Sequence, residues 1–565
     1  MQVEMQVHKD AARTQTTLAW GAGRAKWRYK WREFVYRART IVANTPKMGD
    51  IVIPGPVAMD DRTISWKKVG SIAACGTALF ADGYVNNSIG PVNTIFKSYL
   101  YKGIMTTHRS QILTAISFVG TVVGMLLFGY FSDAVGRKSG MIIATLIIIV
   151  FSGLSAGSYY KGDVGGMIDM LTAWRFFTGV GIGAEYPTGS VAAAEQSEEL
   201  PKRWQHGPFI MVTNFALCLG SVCANMVPFI LVLICTSDHL RLVWRLQLGL
   251  VIVPCLLVLP FRFVLKQPRL YVNGAIKPKK IPYRLVLQFY WFRLSIISIV
   301  WFIYDFIVFP FNLFSSLIVK DVLGSGAALW RVFGWNALIT ALGLPGAVAG
   351  AYFADVIGPK RTFMVALTLQ IIIGFIMAGL FSHLREHIAA FVVVYGLFQS
   401  MGQMGPGSNL GLLASKSCAT CVKGQFYGIA AAIGKIGAFA GTYAFPDLQE
   451  HWEDAKGNPT SNLFYTAPFF LAASLACLSL GLLTLFIKER NSDCQLNEDV
   501  DFKRFLAEHG YDLAQMGRLS DVDSEDVVLE GAEEKKLDSP TAAFDSPSWV
   551  ETSTPAPPPI HDLMK

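Results

Sequence analysis

Apolar runs of about 20 residues recur along the chain, separated by short polar stretches. That length lets an α-helix cross the hydrocarbon of a bilayer. The pattern therefore predicts an all-α polytopic membrane protein with twelve spans. The first six fall near 69–90 (α1), 110–131 (α2), 139–158 (α3), 166–194 (α4), 208–235 (α5) and 243–265 (α6). The second six fall near 290–318 (α7), 329–352 (α8), 361–382 (α9), 388–413 (α10), 424–446 (α11) and 463–487 (α12). The expected organisation is a basic N-terminal segment (1–68), a six-helix half (69–265), a linker (266–289), a second six-helix half (290–487) and an acidic tail (488–565).

Composition agrees with this pattern. The 565 residues are 52% hydrophobic and 16% charged, whereas soluble domains are about a quarter charged. Lys and Arg gather in "GRAKWRYKWREFVYRAR", at Arg137-Lys138, Lys202-Arg203, Lys360-Arg361 and Lys488/Arg490, and in the linker "KQPRLYVNGAIKPKKIPYR". With twelve spans all of these lie on one side, which makes that side the cytoplasm and puts both termini inside. The opposite loop "PDLQEHWEDAKGN" is net acidic. The net charge of +8 thus reflects topology, not a nucleic-acid partner. The basic start shows no cleavable signal peptide and reads as a solvated topogenic tail rather than a helix lying on anionic lipid. From Asn491 onward the chain is rich in Asp, Glu, Ser and Pro, which predicts disorder. Ser539-Pro540 and Ser546-Pro547 there are candidate sites for regulatory kinases. Cys418-Ala-Thr-Cys421 is a lone CxxC with no second pair, so no metal or cofactor is expected.

The halves repeat. "GYFSDAVGRKSGMIIATLIII" (129–149) returns as "AYFADVIGPKRTFMVALTLQIII" (351–373), the mark of a duplicated six-helix unit. Gly129, Asp133, Gly136, Arg137 and Lys138 form one loop motif, and Asp355 and Gly358 stand at matching places in the second copy. Asp133 can cap a neighbouring helix end and pair with Arg137, latching the halves in one state. This motif resembles the loop between α2 and α3 of the major facilitator superfamily. The second copy departs from it modestly, with Ala351 for the first glycine and Pro359 ahead of Lys360-Arg361.

Ionisable residues inside spans each cost about 2.5–3.5 kcal/mol on insertion scales and mark function by default. Asp82 in α1, Glu185 in α4, Asp305 in α7 and Lys435 in α11 are the clearest. The superfamily resemblance implies a central cavity lined by α1, α4, α7 and α10, so three of the four charges fall on cavity helices. In "WFIYDFIVFPFNLFSS", Trp301, Asp305 and Phe309 recur every four residues and share a face. Pro310 interrupts the same helix. In α4, Gly179 and Gly183 form a small-residue packing face, and Arg175 either snorkels or lines the cavity. "GQMGPGSNLG" in α10 predicts an irregular helix that exposes Ser408 and Asn409, or a gating hinge.

The pattern narrows further. Ala184-Glu185-Tyr186-Pro187 resembles the α4 motif of the phosphate:proton symporter family, in which Gly-Gly-Asp-Tyr-Pro is usual. Trp301 and Asp305 match that family's α7 pattern, with Phe309 replacing a tyrosine, and Lys435 matches its α11 lysine. "AEYPTGSVAAAEQSEE" together with the α7 stretch is similar to the fungal glycerophosphoinositol permeases. The resemblance covers residues 65–490. It implies proton-coupling or ligand carboxylates at Asp82, Glu185 and Asp305, substrate hydrogen bonds from Tyr186 and Trp301, and an anion or charge-balancing site at Lys435. It implies a proton-coupled plasma-membrane importer of glycerophosphodiesters, whose partners are an organic phosphate, protons and the bilayer. An inorganic phosphate symporter is the alternative. Leu265-Lys266-Gln267-Pro268-Arg269 only partly echoes the sugar-porter loop Pro-Glu-Ser-Pro-Arg. A nutrient receptor would not need the cavity charges, and the helices contain no metal cluster or nucleophile–His pair to suggest an enzyme.

Overall fold

The computed structural model describes residues 66–76, 79–201, 204–235, 237–265, 281–324, 326–452, 463–489 and 494–511. The N-terminal segment up to residue 65, Lys202-Arg203, linker residues 266–280 and the Ser539 and Ser546 sites lie outside them. The described residues are helical throughout, with no strand among them. α1 runs Trp66–Gly76 and Leu79–Ile95, α2 Thr107–Ala134, α3 Arg137–Ala156, α5 His206–Cys235 and α6 Leu240–Val264. α4 is built from Val164–Glu185, Tyr186–Ser190 and Val191–Ser197. In the second half α7 spans Tyr283–Leu323, α8 Leu329–Val356, α9 Pro359–Gly379 and α10 Ile388–Ser415. α11 spans Lys423–Glu450 and α12 Leu463–Phe486. Among the described residues ten helices are long and apolar enough to span by composition alone. The other two, α1 and α4, bury polar groups such as Asp82, Asn86 and Glu185.

Both loop motifs turn on a glycine with positive φ, Gly136 at 129° and Gly358 at 94°. An L-side chain is strained there, which accounts for the glycine in each copy. Four inward-facing helices contain or run into a π-helical turn, at Phe96–Leu100 after α1, Tyr186–Ser190 in α4, Met211–Phe215 in α5 and Gln403–Gly407 in α10. Pro187 and Pro406 lack the N–H that regular helix would use. Such turns gather at functional positions in helices. α7 and α11 pack at backbone contact, because Gly437 and Gly441 lie on the carbonyls of Phe302 and Phe306. No side chain fits at those two glycines.

Two expectations change. α7 begins at Tyr283, inside the expected linker. The expected structureless tail from 488 contains a helix, α13 (Cys494–Glu508). Phe502 and Leu506, four apart and so on one face, are fully buried. Phe502 packs on Phe289 and Tyr290 at ring distances of 5.6 and 5.3 Å. Glu498 accepts from Arg293 at 2.6 Å. Asp499 accepts from the backbone N–H and hydroxyl of Thr420 at 2.7 and 2.8 Å. Burial raises the Asp499 carboxyl above its usual range, and the Thr420 bonds oppose that rise. The acidic composition of the tail as a whole masked this apolar pair.

Candidate functional site

A cavity lies between the halves. α4, α7 and α11 line one wall with Tyr186, Trp301, Asp305, Phe309, Tyr427 and Lys435. α5, α7, α8 and α10 add Asn214, Ser221, Asn312, Thr340, Gln399, Gln403 and Ser408. Among the described residues Lys435 is the one cationic side chain in the lining.

The ionic centre is compact. Lys435 Nζ stands 3.2 Å from Asp305 Oδ2. It also lies 4.0 Å from the centroid of the Phe309 ring and 5.3 Å from that of Tyr186, within cation–π range of both. The Tyr186 hydroxyl donates to Asp82 Oδ2 at 2.6 Å, which connects α4 to α1. Trp301 meets Tyr427 edge-on at 5.5 Å and packs on Gly434. Phe118 meets Phe309 at 4.8 Å. Asp82 sits behind Tyr186 and accepts from Asn86 Nδ2. Asn86 Oδ1 in turn accepts from Ser117 at 3.3 Å. A buried carboxylate is tolerated where a cation and hydrogen bonds satisfy it. Two carboxylates here share one adjacent ammonium.

Other predicted residues lie elsewhere. Glu185 is away from the lining. It accepts from both terminal nitrogens of Arg262, at 2.6 and 2.8 Å, and Arg262 also donates to Thr145 Oγ1 and the Met141 carbonyl. The sequence reading missed Arg262. Its place near the C-terminal end of α6 reads as topogenic, and only the unmatched acid in α4 could have drawn attention to it. Arg175 neither snorkels nor lines the cavity. It is buried and donates to the Leu113 carbonyl at 3.1 Å and to Ser117 at 3.3 Å. Ser408 lines the cavity, donates to the Gln403 carbonyl at 2.7 Å and accepts from Asn214 at 3.2 Å. Asn409, expected to be exposed to the cavity, is fully buried and outside its lining. Its amide donates to the carbonyls of Met404 and Gly405, freed by the π turn.

Known proteins resemble this chain in sequence and in fold. Residues 69–275 match the family described as sugar (and other) transporter. The major glycerophosphoinositol permease of Candida albicans is 41% identical over 470 residues, 82% of this chain and 87% of that protein. The glycerophosphocholine permease of the same yeast is 39% identical over 478 residues, 83% and 89% of the two chains. The chain belongs to the glycerophosphoinositol permease family of the major facilitator superfamily. Glycerophosphoinositol transporter 1 of Saccharomyces cerevisiae is 33% identical over 464 residues, 82% and 87% of the two chains. Among solved structures, the proton:xylose symporter bound to 6-bromo-6-deoxy-D-glucose superposes with a TM-score of 0.64 at 15% identity. That match covers 77% of this chain and 98% of the symporter, and it shares the fold.

The loop motifs tie the two halves of this transporter together on one side. Asp133 accepts from the N–H groups of Gly424 and Gln425 at 2.9 and 2.8 Å, at the start of α11 in the opposite half. Asp355 accepts from the N–H groups of His206 and Gly207, both at 2.9 Å, at the start of α5. Each aspartate thus caps the positive end of a helix in the other half. Gly129 lies against Gly424 and Gln425, which lets α2 approach α11. Arg137 donates to Asp133 at 2.6 Å and to Glu195 at 2.9 Å. Lys138 stays half-buried at the start of α3. Beside the latch, Lys423 Nζ lies 3.6 Å from Glu198. Burial raises the Glu198 carboxyl and lowers the Lys416 amine, each opposed by the other's charge. The opposite side is bridged as well, by Gln111 donating to Asp447 at 2.6 Å and by Thr94 and Ser316 at 2.8 Å.

Proposed function

We propose that this protein is a proton-coupled plasma-membrane importer of glycerophosphodiesters, glycerophosphoinositol foremost, working by alternating access with both termini in the cytoplasm. The observation that carries the reading is Lys435, the cavity's cation, held at once by Asp305 and two aromatic faces. An incoming monoanion must compete with Asp305 for that ammonium. The next cation, Arg175, stands three hydrogen bonds beyond Asp82. A proton taken up at Asp305 or Asp82 releases Lys435 to the phosphate, so the two cargoes bind together. Trp301 offers an indole N–H to phosphate oxygens, and protonation of Asp82 frees the Tyr186 hydroxyl to donate to them as well. Phe309 gives the centre an apolar wall, which suits a diester better than the four unesterified oxygens of inorganic phosphate. Rocking about the interface between the halves then opens the cytoplasmic latch. Phosphorylation at Ser539 and Ser546 of the tail by regulatory kinases belongs to the same proposal.

The test is uptake in cells lacking their own carriers. Wild-type protein accumulates labelled glycerophosphoinositol at acidic external pH, and Asp305→Asn abolishes accumulation while still reaching the membrane. Concentrative uptake by Asp305→Asn at the wild-type level overturns the coupling. Inhibition of wild-type uptake by inorganic phosphate at concentrations as low as those of the diester replaces it with the phosphate reading.

A further inference from the structure

The cavity is chemically two-sided. Around Lys435 it is ionic and aromatic, while farther along α7 and across the cavity it is neutral and rich in amides. Asn312 lies seven residues beyond Asp305, about 10 Å along the helix and on the same face. Gln399 of α10 donates to Asn312 Oδ1 at 2.9 Å. Asn87 of α1 donates to Ser221 Oγ of α5 at 2.8 Å. Each bond uses only part of its amides. Asn312 Nδ2, Gln399 Oε1 and Asn87 Oδ1 have no hydrogen-bond partner among the described residues, and all three side chains line the cavity. One spare donor and two spare acceptors therefore stand beyond the ionic centre. If an amide is flipped, the spare atoms exchange roles and spare capacity remains.

Elsewhere in the lining, α5 and α8 are cross-linked by neutral polar groups. Thr340, also in the lining, accepts from Asn225 at 3.2 Å and donates to the Asn336 carbonyl at 3.0 Å. Asn336 donates to Asn225 at 2.6 Å. The bonds from Gln399 to Asn312 and from Asn87 to Ser221 hold the three amides in place, and leaving their spare atoms unpaired against a ligand is costly.

We infer that Asn312, Gln399 and Asn87 form a subsite for the polyol arm of the diester, selecting hydroxylated head groups over a quaternary ammonium. The inference rests on the diester reading above, with the phosphate at Lys435. Vicinal hydroxyls both donate and accept, which the spare donor and acceptors require. The distance from Asp305 to Asn312 is one that a polyol arm bridges and inorganic phosphate does not. A trimethylammonium group instead seeks aromatic faces or carboxylates. The faces of Phe309 and Tyr186 already carry Lys435, and Asp305 is paired with it. Asn312, Gln399 and Asn87 themselves offer such a group neither an aromatic face nor a carboxylate, and its arrival strands their polar atoms. Relatives of nearly equal identity carry glycerophosphoinositol and glycerophosphocholine in their names, so overall similarity does not decide between the two. This wall does.

The experiment is competition by unlabelled glycerophosphoinositol and glycerophosphocholine against labelled glycerophosphoinositol, in wild type, Asn312→Leu and Gln399→Met. Both substitutions keep bulk and remove hydrogen bonding. The expected result is an inhibition constant for glycerophosphoinositol about tenfold higher in each variant, the cost of one or two lost bonds in a site built for them. The constant for glycerophosphocholine should move less than about twofold. Equal shifts for the two diesters, or unchanged selectivity at wild-type surface level, overturn the inference and leave the diester reading standing. Wild-type protein that takes up neither diester overturns both. Should Asn312→Leu fail to reach the surface, Gln399→Met on another helix carries the test.

Discussion

The interiors of the two halves beside the loop motifs are built to the same plan from different chemistry. Glu185 lies two residues before Pro187 of the α4 π turn, and Met404 lies two before Pro406 of the α10 turn. Eight residues past the same prolines stand Glu195 and Ala414. In the loop motifs Arg137 corresponds to Pro359. The first half thus holds two buried ionic sets, Glu185–Arg262 and Asp133–Arg137–Glu195, where the second half has apolar residues and a proline. The second half places its charge pair, Asp305–Lys435, on the cavity. Arginine binds a carboxylate through two fixed N–H groups and stays charged. A lysine is a point charge on a flexible stem, able to leave one anion for another. An arginine partner suits a carboxylate held as structure, and a lysine partner suits one that exchanges.

The largest effect should come from breaking an arginine set. Arg137→Met leaves Asp133 and Glu195 buried without their guanidinium, a loss of about 3–5 kcal/mol, comparable to the whole stability of a small domain. Thermal unfolding of the purified protein should show the loss, and little of it should reach the cell surface. A variant as stable as wild type would mean the second half's apolar solution serves equally well without compensation.

Next comes the pair that the sequence reading assigned to coupling. Arg262→Met alone should destabilise as strongly, because Glu185 is left unpaired. Combining it with Glu185→Met, the residue found at the matching place in α10, should recover most of that loss, since an apolar replacement of a buried ion pair is often neutral. The double variant should still accumulate substrate against a gradient. A well-folded double variant that only equilibrates substrate would return Glu185 to the proton pathway.

These cases show what a sequence makes legible. The twelve helices follow from apolar run length, and the loop motifs from an internal repeat, both of which are local patterns. Asp82, Asp305 and Lys435 stand out because a charge in an apolar run is costly wherever it lies. Their partners are another matter. That Glu185 faces Arg262 across 77 residues, or that Asp133 caps a helix 291 residues away, depends on helix rotation and packing, which a one-dimensional pattern does not encode. Asn409 misled for a related reason: a polar residue beside a broken helix serves equally as a cavity wall or as repair for the freed carbonyls. The amide wall of Asn312 and Gln399 left no signal, since single neutral amides inside spans are unremarkable until they converge.

The smallest effect should separate the two latches. Asp133 and Asp355 each accept two backbone N–H groups, but only Asp133 is also clamped by an arginine, and its side chain is 1% exposed against 12% for Asp355. An asparagine keeps one acceptor oxygen and forfeits the charge–dipole attraction, worth about 0.3–1 kcal/mol, plus roughly one hydrogen bond. Asp355→Asn should therefore loosen the cytoplasmic closure by about 1–2 kcal/mol. Asp133→Asn also deprives Arg137 of a carboxylate and should loosen it more. Cys218 reports the difference, because it lines the cavity behind both latches. With the other cysteines replaced by serine, its labelling by an impermeant maleimide from the cytoplasmic face measures how often that side opens. Asp355→Asn should raise the rate roughly tenfold, since about 1.4 kcal/mol is a factor of ten, and Asp133→Asn should exceed it. Equal rates would show that backbone capping alone sets the closure, and that the Arg137 clamp serves stability within its own half without biasing the transport cycle.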